Sequence, residues 1–171
     1  NKDQAQHQPV RILSLEERVV GLLWLYPQRF EQVCSVSGIG AEEFQDIRNR
    51  TLFEELFKLQ NKTVKDLKER LDSLDEELVT RVESTRNALV TGPVMSEDMA
   101  IEDLIKSALR MRKAHLSRSL AELRYALEDA RQSGDRQEIE RLGVRTEEVS
   151  REIELVNRRA YEVTLMGKSR K

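Results

Sequence analysis

Near the N-terminus, apolar residues cover almost every face of a helix. The run consists of Val19, Val20, Leu22, Leu23, Leu25 and Tyr26. Ser14 and Glu17 precede it at the spacing of a capping box, in which each side chain accepts a backbone N–H of the first turn. The pattern therefore predicts a helix that opens at Ser14, ends at Pro27 and lies at the centre of a core.

The next stretch carries short apolar runs separated by turn residues. We expect helices over 28–37, 50–59 and 63–71, each with a helical apolar period. The tripeptide at 91–93, Thr-Gly-Pro, is the clearest boundary inside the chain, because Gly and Pro both interrupt helices. The pattern up to this point indicates a bundle of short helices.

Beyond the boundary, two long stretches place apolar residues at alternating spacings of three and four. The first contains Leu116, Leu120, Leu123, Leu127 and Ala130, and the second contains Ile139, Leu142, Thr146, Val149, Ile153, Val156, Ala160 and Val163. These spacings are typical of heptad a and d positions. The Ser-Gly-Asp turn at 133–135 joins them, which predicts an antiparallel helical hairpin. Gly143 should weaken its second helix locally.

These elements predict an all-α fold, with a compact bundle of short helices followed by a long helix and an antiparallel hairpin. We expect a linker remnant at 1–9, a bundle subdomain at 10–92, a long helix and hairpin at 96–166, and a flexible basic tail at 167–171. Only 7 Gly and 3 Pro occur in 171 residues, as expected for helices. From the polar start, at Asn rather than Met, we expect either a processed product or a segment of a longer protein.

The net charge of −2 hides a division along the chain. Residues 1–105 carry 13 Lys and Arg against 20 Asp and Glu, whereas residues 106–171 carry 16 against 11. Such an asymmetry can direct partners of opposite sign to the two parts. Most of these charges are nevertheless typical of solvated helix faces.

Residue patterns for catalysis or metal binding do not occur. His7 and His115 are far apart in sequence, Cys34 has no cysteine partner, and no phosphate-binding or dinucleotide motif is present. We therefore predict no catalytic, metal-binding or cofactor-binding residue and no small-molecule substrate. The single cysteine favours a reducing cytoplasm, and no apolar run is long enough to span a membrane.

Two clusters near the C-terminus are candidates for interaction. Tyr161, Leu165 and Met166 close the last helix, and we expect them either to form a docking surface or to fold back onto the first long helix near 99–109. Basic residues also concentrate there and earlier, which raises the possibility of DNA binding. They are Arg110, Arg112, Lys113, Arg118, Arg158, Arg159, Lys168, Arg170 and Lys171. A pI near 5.9 and few interleaved aromatics favour ion pairs instead, with direct DNA contact absent or weak.

A diffuse pattern of residues runs through the N-terminal bundle. It consists of Glu16-Glu17, Val20-Gly21-Leu22-Leu23, Tyr26-Pro27, Phe44 and Arg50-Thr51-Leu52-Phe53-Glu54-Glu55-Leu56. In this pattern, and in the order of bundle and hairpin, residues 14–166 resemble the helicase-binding C-terminal domain of bacterial DNA primases. The N-terminal domain of the replicative helicase has a similar pattern and fold. The polar N-terminal segment and the basic C-terminus favour the primase.

The resemblance implies a non-catalytic domain of a DNA-directed RNA polymerase of the primase type. Such a domain docks, as a monomer, onto the N-terminal collar of the hexameric replicative helicase and modulates primer synthesis and helicase activity. The hairpin would supply most of the binding energy for the helicase, through an apolar patch of Tyr161, Leu165 and Met166. Arg158 and Arg159 would form its rim. The alternatives are the helicase collar itself, which assembles into rings, and a helical DNA-binding or scaffold module.

Overall fold

Helices make up almost all of the described chain. The computed structural model describes residues 12–59, 64–92 and 95–169, except for the side chains of 64–65, 67–68 and 166–169. Its α-helices are α1 (Leu15–Leu25), α2 (Phe30–Ser37), α3 (Ile47–Lys58), α4 (Val64–Asp72), α5 (Glu76–Val90), α6 (Glu97–Ser133) and α7 (Arg136–Ser169). Short 3-10 turns lie at Pro27–Arg29 and Ala41–Glu43. Since these ranges contain no strand, the predicted all-α class is confirmed.

Helix α1 is the centre of the bundle, as its apolar run predicts. The capping box is present, because the Ser14 N–H donates to Glu17 Oε2 at 2.9 Å and the Glu17 N–H donates to Ser14 Oγ at 3.2 Å. The helix is buried on nearly every face and packs against α3, α5 and α6. Trp24 is part of this core.

Two helix starts differ from the prediction for identifiable local reasons. Helix α2 begins at Phe30 because Pro27–Arg29 form a 3-10 turn that Pro can open. Helix α3 begins at Ile47, earlier than the predicted Arg50, because the Asp46 carboxylate accepts the Arg48 N–H at 2.9 Å and caps the helix there. Thr63, where the pattern predicts α4 to begin, lies outside the described residues, as do the predicted linker and the last two residues of the tail.

Helices α6 and α7 form the expected antiparallel hairpin. Gly134 ends α6 with φ of 73°, a left-handed conformation that suits Gly, and α7 begins two residues later. Both helices are continuous, α6 through 110–116 and α7 through Gly143. A Cβ at Gly143 would meet nothing within 4 Å, so no neighbouring element packs closely enough to require a glycine at this position.

The hairpin grows out of the bundle core instead of lying beside it. The first half of α6 packs on α1 and α2, where Leu104, Ala108 and Leu109 are fully or almost fully buried. The same continuous core extends to Leu116 on α6 and Val149 on α7. The base of the hairpin is therefore held by bundle contacts, while its tip at Gly134 projects away.

Polar side chains join α1, α3 and α5 at one end of the bundle. Arg81 donates to Asn49 Oδ1 and to Asp46 Oδ2, both at 2.8 Å, and lies 3.5 Å from Glu17. Asn49 is 1% exposed and in turn donates to Glu16 at 3.2 Å. Because buried polar groups are costly without partners, this satisfied network fixes how the three helices meet.

The hydrogen bonds from Arg48, followed by the charge of Arg81, lower the pKa of Asp46 to about 2, although burial opposes this shift. A carboxyl whose folded pKa is lowered stabilises the fold fully above its unfolded pKa, near 3.8, and loses that contribution as the pH falls towards 2.

We expect Asp46→Asn, which keeps a good helix cap, to lower the urea midpoint at pH 7. The difference from the parent chain should shrink steadily between pH 5 and pH 2. An equal deficit at every pH would contradict the assignment, and exposed Asp129→Asn is the matched control.

Gly21 allows α1 and α5 to approach closely. A Cβ at this position would lie inside the van der Waals contact distance of Thr85 Cγ2 and 2.9 Å from Leu89 Cδ1. We expect Gly21→Ala to destabilise the chain by about 1 to 3 kcal/mol in urea titrations, despite the better helix propensity of Ala. Adding Thr85→Ser, which deletes the clashing methyl group, should restore most of that loss. A Gly21→Ala variant as stable as the parent chain would show that no close approach exists.

Candidate functional site

The C-terminal part of α7 lies at the base of the hairpin. Because the two helices are antiparallel, Val156, Ala160 and Thr164 face the segment of α6 from Lys106 to Lys113. Helix α7 therefore runs back along the first half of α6, and it is Val156, Ala160 and Thr164 that face this segment. The residues predicted to bind a partner lie beside the bundle and far from the tip.

Tyr161 and Leu165 nevertheless remain exposed. Tyr161 keeps 65% of its surface accessible and Leu165 keeps 44%, whereas neighbouring Val163 packs against the core. Arg158, Tyr161 and Leu165 recur at spacings of three and four, so they share one face of α7. The side chain of Met166 lies outside the described residues. The structure thus presents two of the three predicted apolar side chains to solvent on one face.

A groove runs between α6 and α7 at the base of the hairpin. Its volume is about 210 Å³, with Leu109, Val156 and Ala160 forming its apolar part. The polar lining residues are Lys106, Arg110, Lys113, Asn157 and Thr164. Cationic residues of α6 therefore border one edge of the groove, and α7 supplies the other.

Several of these cations are available to a partner. Arg110, Lys113 and Arg158 are exposed and form no ion pair with any residue in the described ranges. Lys106 differs, because its ammonium lies 2.5 Å from Glu102 on the same helix. We call Arg110, Lys113, Arg158, Tyr161 and Leu165, with the groove between the helices, the hairpin-base patch. It combines apolar area with unneutralised positive charge.

Arg159 lies on a different edge of α7 from Arg158. It is partly buried, and its guanidinium points towards Gly38 at the end of α2, 3.8 Å from where a Cβ of that glycine would be. The structure therefore places Arg159 between the hairpin and the bundle, away from the other predicted site residues.

Arg112 differs from the other residues of its basic stretch, because its side chain is not on the exposed surface. Its guanidinium turns inward and hydrogen-bonds Glu43, which has a fully buried carboxylate, and Glu152 at 2.7 Å. Burial opposes the charge of Arg112, but the hydrogen bond and charge of Glu43, with the charges of Glu152 and Glu42, outweigh it and raise its pKa. Arg112 is thus a fixed structural cation and not part of the exposed surface.

The contacts of Arg112 hold three elements together. Arg112 belongs to α6, Glu152 to α7 and Glu43 to the 3-10 turn Ala41–Glu43 of the bundle. Glu43 also accepts the Gly40 N–H at 2.7 Å, so the turn itself depends on this carboxylate. Through these bonds Arg112 positions the base of the hairpin, and with it the hairpin-base patch, relative to the bundle.

Sequence reasoning missed the contribution of α6 to this surface. Arg110 and Lys113 were considered only as part of a basic stretch, although residues at nearly equal distances from the Gly134 turn lie opposite each other in a hairpin. Applying that register places 106–113 beside 156–164, as observed. No feature of the sequence predicts that the Arg112 side chain turns inward, because its partner Glu43 is distant in sequence.

Groups suited to chemistry are sparse within the described ranges. They hold no cluster of three or more His, Cys, Asp or Glu that could bind a metal. Burial raises the pKa of Cys34 to about 12, which leaves its thiol a poor nucleophile near neutral pH. In the same ranges, no helix combines the length and apolar character needed to cross a membrane.

Comparison with known proteins identified no relative. The chain matches no protein-family model, no curated protein and no solved structure.

We expect Arg112→Met to destabilise the chain by about 2 kcal/mol, because it leaves the buried Glu43 carboxylate without its cation. The value is below that of a fully buried pair, since Arg112 keeps 19% of its side-chain surface exposed. Urea titration measures the change, and adding Glu43→Gln should recover part of it.

The matched control is Arg145→Met, which breaks an exposed pair with Glu148 at 3.0 Å on α7. It should cost less than about 0.5 kcal/mol. Equal losses for the Arg112 and Arg145 variants would mean that Arg112 does not fix the hairpin to the bundle.

Proposed function

We propose that this chain is a non-catalytic interaction domain of a bacterial primase, which docks through its helical hairpin onto the N-terminal collar of the hexameric replicative helicase. The observation that carries the proposal is the hairpin-base patch, where exposed Tyr161 and Leu165 lie beside cations without ion pairs in the described chain. The resemblance of residues 14–166 to the helicase-binding domain of primases supplies the identity of the partner.

The composition of the patch is suited to binding protein. Tyr and Arg are enriched in residues that dominate binding energy, and an apolar centre with a polar rim is the common arrangement of interfaces. Tyr161 and Leu165 provide the apolar centre, and Arg110, Lys113 and Arg158 provide the rim. A partner with an acidic surface around an apolar depression complements both features and associates faster through charge attraction.

The fold presents this patch in a preformed state. Helix α6 is continuous from the bundle core to the hairpin tip, and Arg112 links both arms to the 3-10 turn. Such rigidity lowers the entropic cost of binding, since the contact residues need little ordering. In the proposal, the bundle transmits the docking event to the helicase and modulates its activity and primer synthesis.

The proposal assigns no catalysis, cofactor or small-molecule substrate to this chain. Polymerisation belongs to other domains of the parent primase, and the chain acts as a monomer in the cytoplasm. Its partner is the helicase, and nucleic acid contacts are absent or weak.

Sedimentation of the chain mixed with the cognate hexameric helicase tests the proposal. We expect a monomer that co-sediments with the hexamer, and we expect Tyr161→Ala to raise the Kd about tenfold by removing an interfacial aromatic. Arg158→Glu should slow association, with an effect that decreases as salt is added, because rim charges act mainly on the on-rate.

Tyr125→Ala is the matched control, since Tyr125 is also exposed on the hairpin but lies nearer its tip. It should leave the Kd unchanged. The proposal would be refuted if the chain did not co-sediment with the helicase, or if the two tyrosine variants raised the Kd equally. Assembly of the chain alone into rings would instead support the helicase collar as its identity.

DNA binding is the second candidate, favoured by the same unpaired cations Arg110, Lys113 and Arg158. It predicts binding to duplex or single-stranded DNA with a steep inverse dependence on salt. The helicase proposal predicts no such binding at physiological salt. The two functions are therefore separated by one titration of labelled DNA at two salt concentrations.

A further inference from the structure

A second concave surface lies on the bundle, between α2, the turn after it and α3. Its volume is about 410 Å³. The apolar lining consists of Cys34, Ile39, Ala41, Phe53 and Phe57. No hairpin residue contributes to it, so it is separate from the hairpin-base patch. We call it the α2–α3 groove.

Aromatic side chains form one wall of the α2–α3 groove. The Phe30 ring packs against Phe53 with centroids 5.1 Å apart and against Phe57 with centroids 6.4 Å apart. Phe30 and Phe53 are buried, whereas Phe57 leaves 61% of its surface exposed at the edge of the groove. Burying this ring against a partner would therefore gain apolar contact that the isolated chain does not make.

Carboxylates surround the same groove. Glu54 and Glu42 both line it, and Glu31 lies one helical turn before Cys34 on α2. Glu31 and Glu54 are exposed and have no ion pair within the described part of the chain, while Glu42 is only 3.5 Å from Arg112. The groove thus has an apolar floor and a negatively charged border.

Among the residues that the structure describes, Lys58 is the cation that lines the α2–α3 groove. Its ammonium lies 2.8 Å from the Glu55 carboxylate, which is almost fully buried. The same carboxylate accepts a hydrogen bond from Arg70 Nε at 2.5 Å. Lys58 is therefore engaged within the bundle and does not neutralise Glu54 or Glu42. The uncompensated charge at the groove is negative.

We propose that the α2–α3 groove binds a basic amphipathic segment of a partner protein, with one aromatic or aliphatic side chain inserted beside Phe57 and flanking Lys or Arg residues paired with Glu54 and Glu31. Charge complementarity carries the choice of partner, since nucleic acid and anionic lipid would be repelled by the same carboxylates. A cation next to Phe57 also gains from the exposed face of the ring. This inference goes beyond the proposed docking to the helicase and depends on none of its residues.

A second copy of the chain is another possible occupant, because its hairpin-base patch joins Tyr161 and Leu165 to Arg158. A groove that accepts the hairpin of the next copy makes a head-to-tail contact, which extends into rings or filaments. We infer that the occupant is a different protein, and the experiment below separates it from self-assembly.

The test uses the whole chain and a fluorescein-labelled helical peptide of about 15 residues, long enough to form several turns. The peptide carries Leu and Phe on one face and Lys on both flanks, and a matched peptide carries Glu in place of every Lys. Fluorescence anisotropy should show the basic peptide binding about tenfold more tightly than the acidic one, since like charges across an interface oppose binding.

Two groove variants test the assigned residues, and both change exposed side chains, so the fold should be retained. Phe57→Ala should weaken the basic peptide about tenfold, as expected for an aromatic anchor. Glu54→Lys should weaken the basic peptide and strengthen the acidic one. The matched controls Tyr125→Ala and Glu122→Lys, on the hairpin, should change neither affinity, and Tyr161→Ala should leave peptide binding intact even if it abolishes helicase docking.

Three outcomes would overturn the proposal. The first is equal affinity for the basic and acidic peptides, and the second is binding that Phe57→Ala does not weaken. The third is self-association in sedimentation equilibrium that Phe57→Ala and Tyr161→Ala both abolish, which would assign the groove to a second copy. Circular dichroism of each variant identifies any loss of fold before binding is compared.

Discussion

The buried pair between Arg112 and Glu43 is the constraint on which the arrangement of this molecule depends. A fully buried carboxylate requires a cation, and the cation comes from α6 while a second carboxylate, Glu152, comes from α7. One side chain therefore ties both hairpin arms to the bundle turn. Apolar contacts supply most of the stability of this junction, but they are not directional. The ion-pair network selects one position of the hairpin among those that apolar packing alone would permit.

That position determines which surfaces remain available. The end of α7 is held against the first half of α6, so exposed Tyr161 and Leu165 lie at the base of the hairpin, where Arg110 and Lys113 border the groove between the two helices. At the same time, the turn held by Glu43 forms one side of the α2–α3 groove. The same network thus shapes a positively charged surface on the hairpin and a negatively charged groove on the bundle. The opposite net charges of residues 1–105 and 106–171 are consistent with this division.

Much of the fold was predictable from local signals. The capping box at Ser14, the apolar run of α1 and the two heptad stripes around Gly134 each specify an element through interactions between near neighbours in sequence, and all three were confirmed. The starts of α2 and α3 differed because of a 3-10 turn and the cap at Asp46, which depend on the geometry of a few residues. The role of Arg112 was not predictable, because its partners are brought to it only by the completed fold. Within the candidate site, the sequence left open whether Tyr161 and Leu165 are exposed or fold back onto the first long helix, because that depends on how α7 packs in the completed fold. Identifying the α6 cations required the register of the hairpin.

Hydrogen exchange of the intact chain, measured with and without the hexameric helicase, tests the central claim most directly. The account predicts added protection in 106–113 and 156–165, the two segments of the hairpin-base patch, with little change near the Gly134 tip. It also predicts that Arg112→Met weakens this protection, because the patch is then no longer held against the bundle. Protection confined to the hairpin tip, or none at any helicase concentration, would contradict the assignment of the patch as a preformed docking surface.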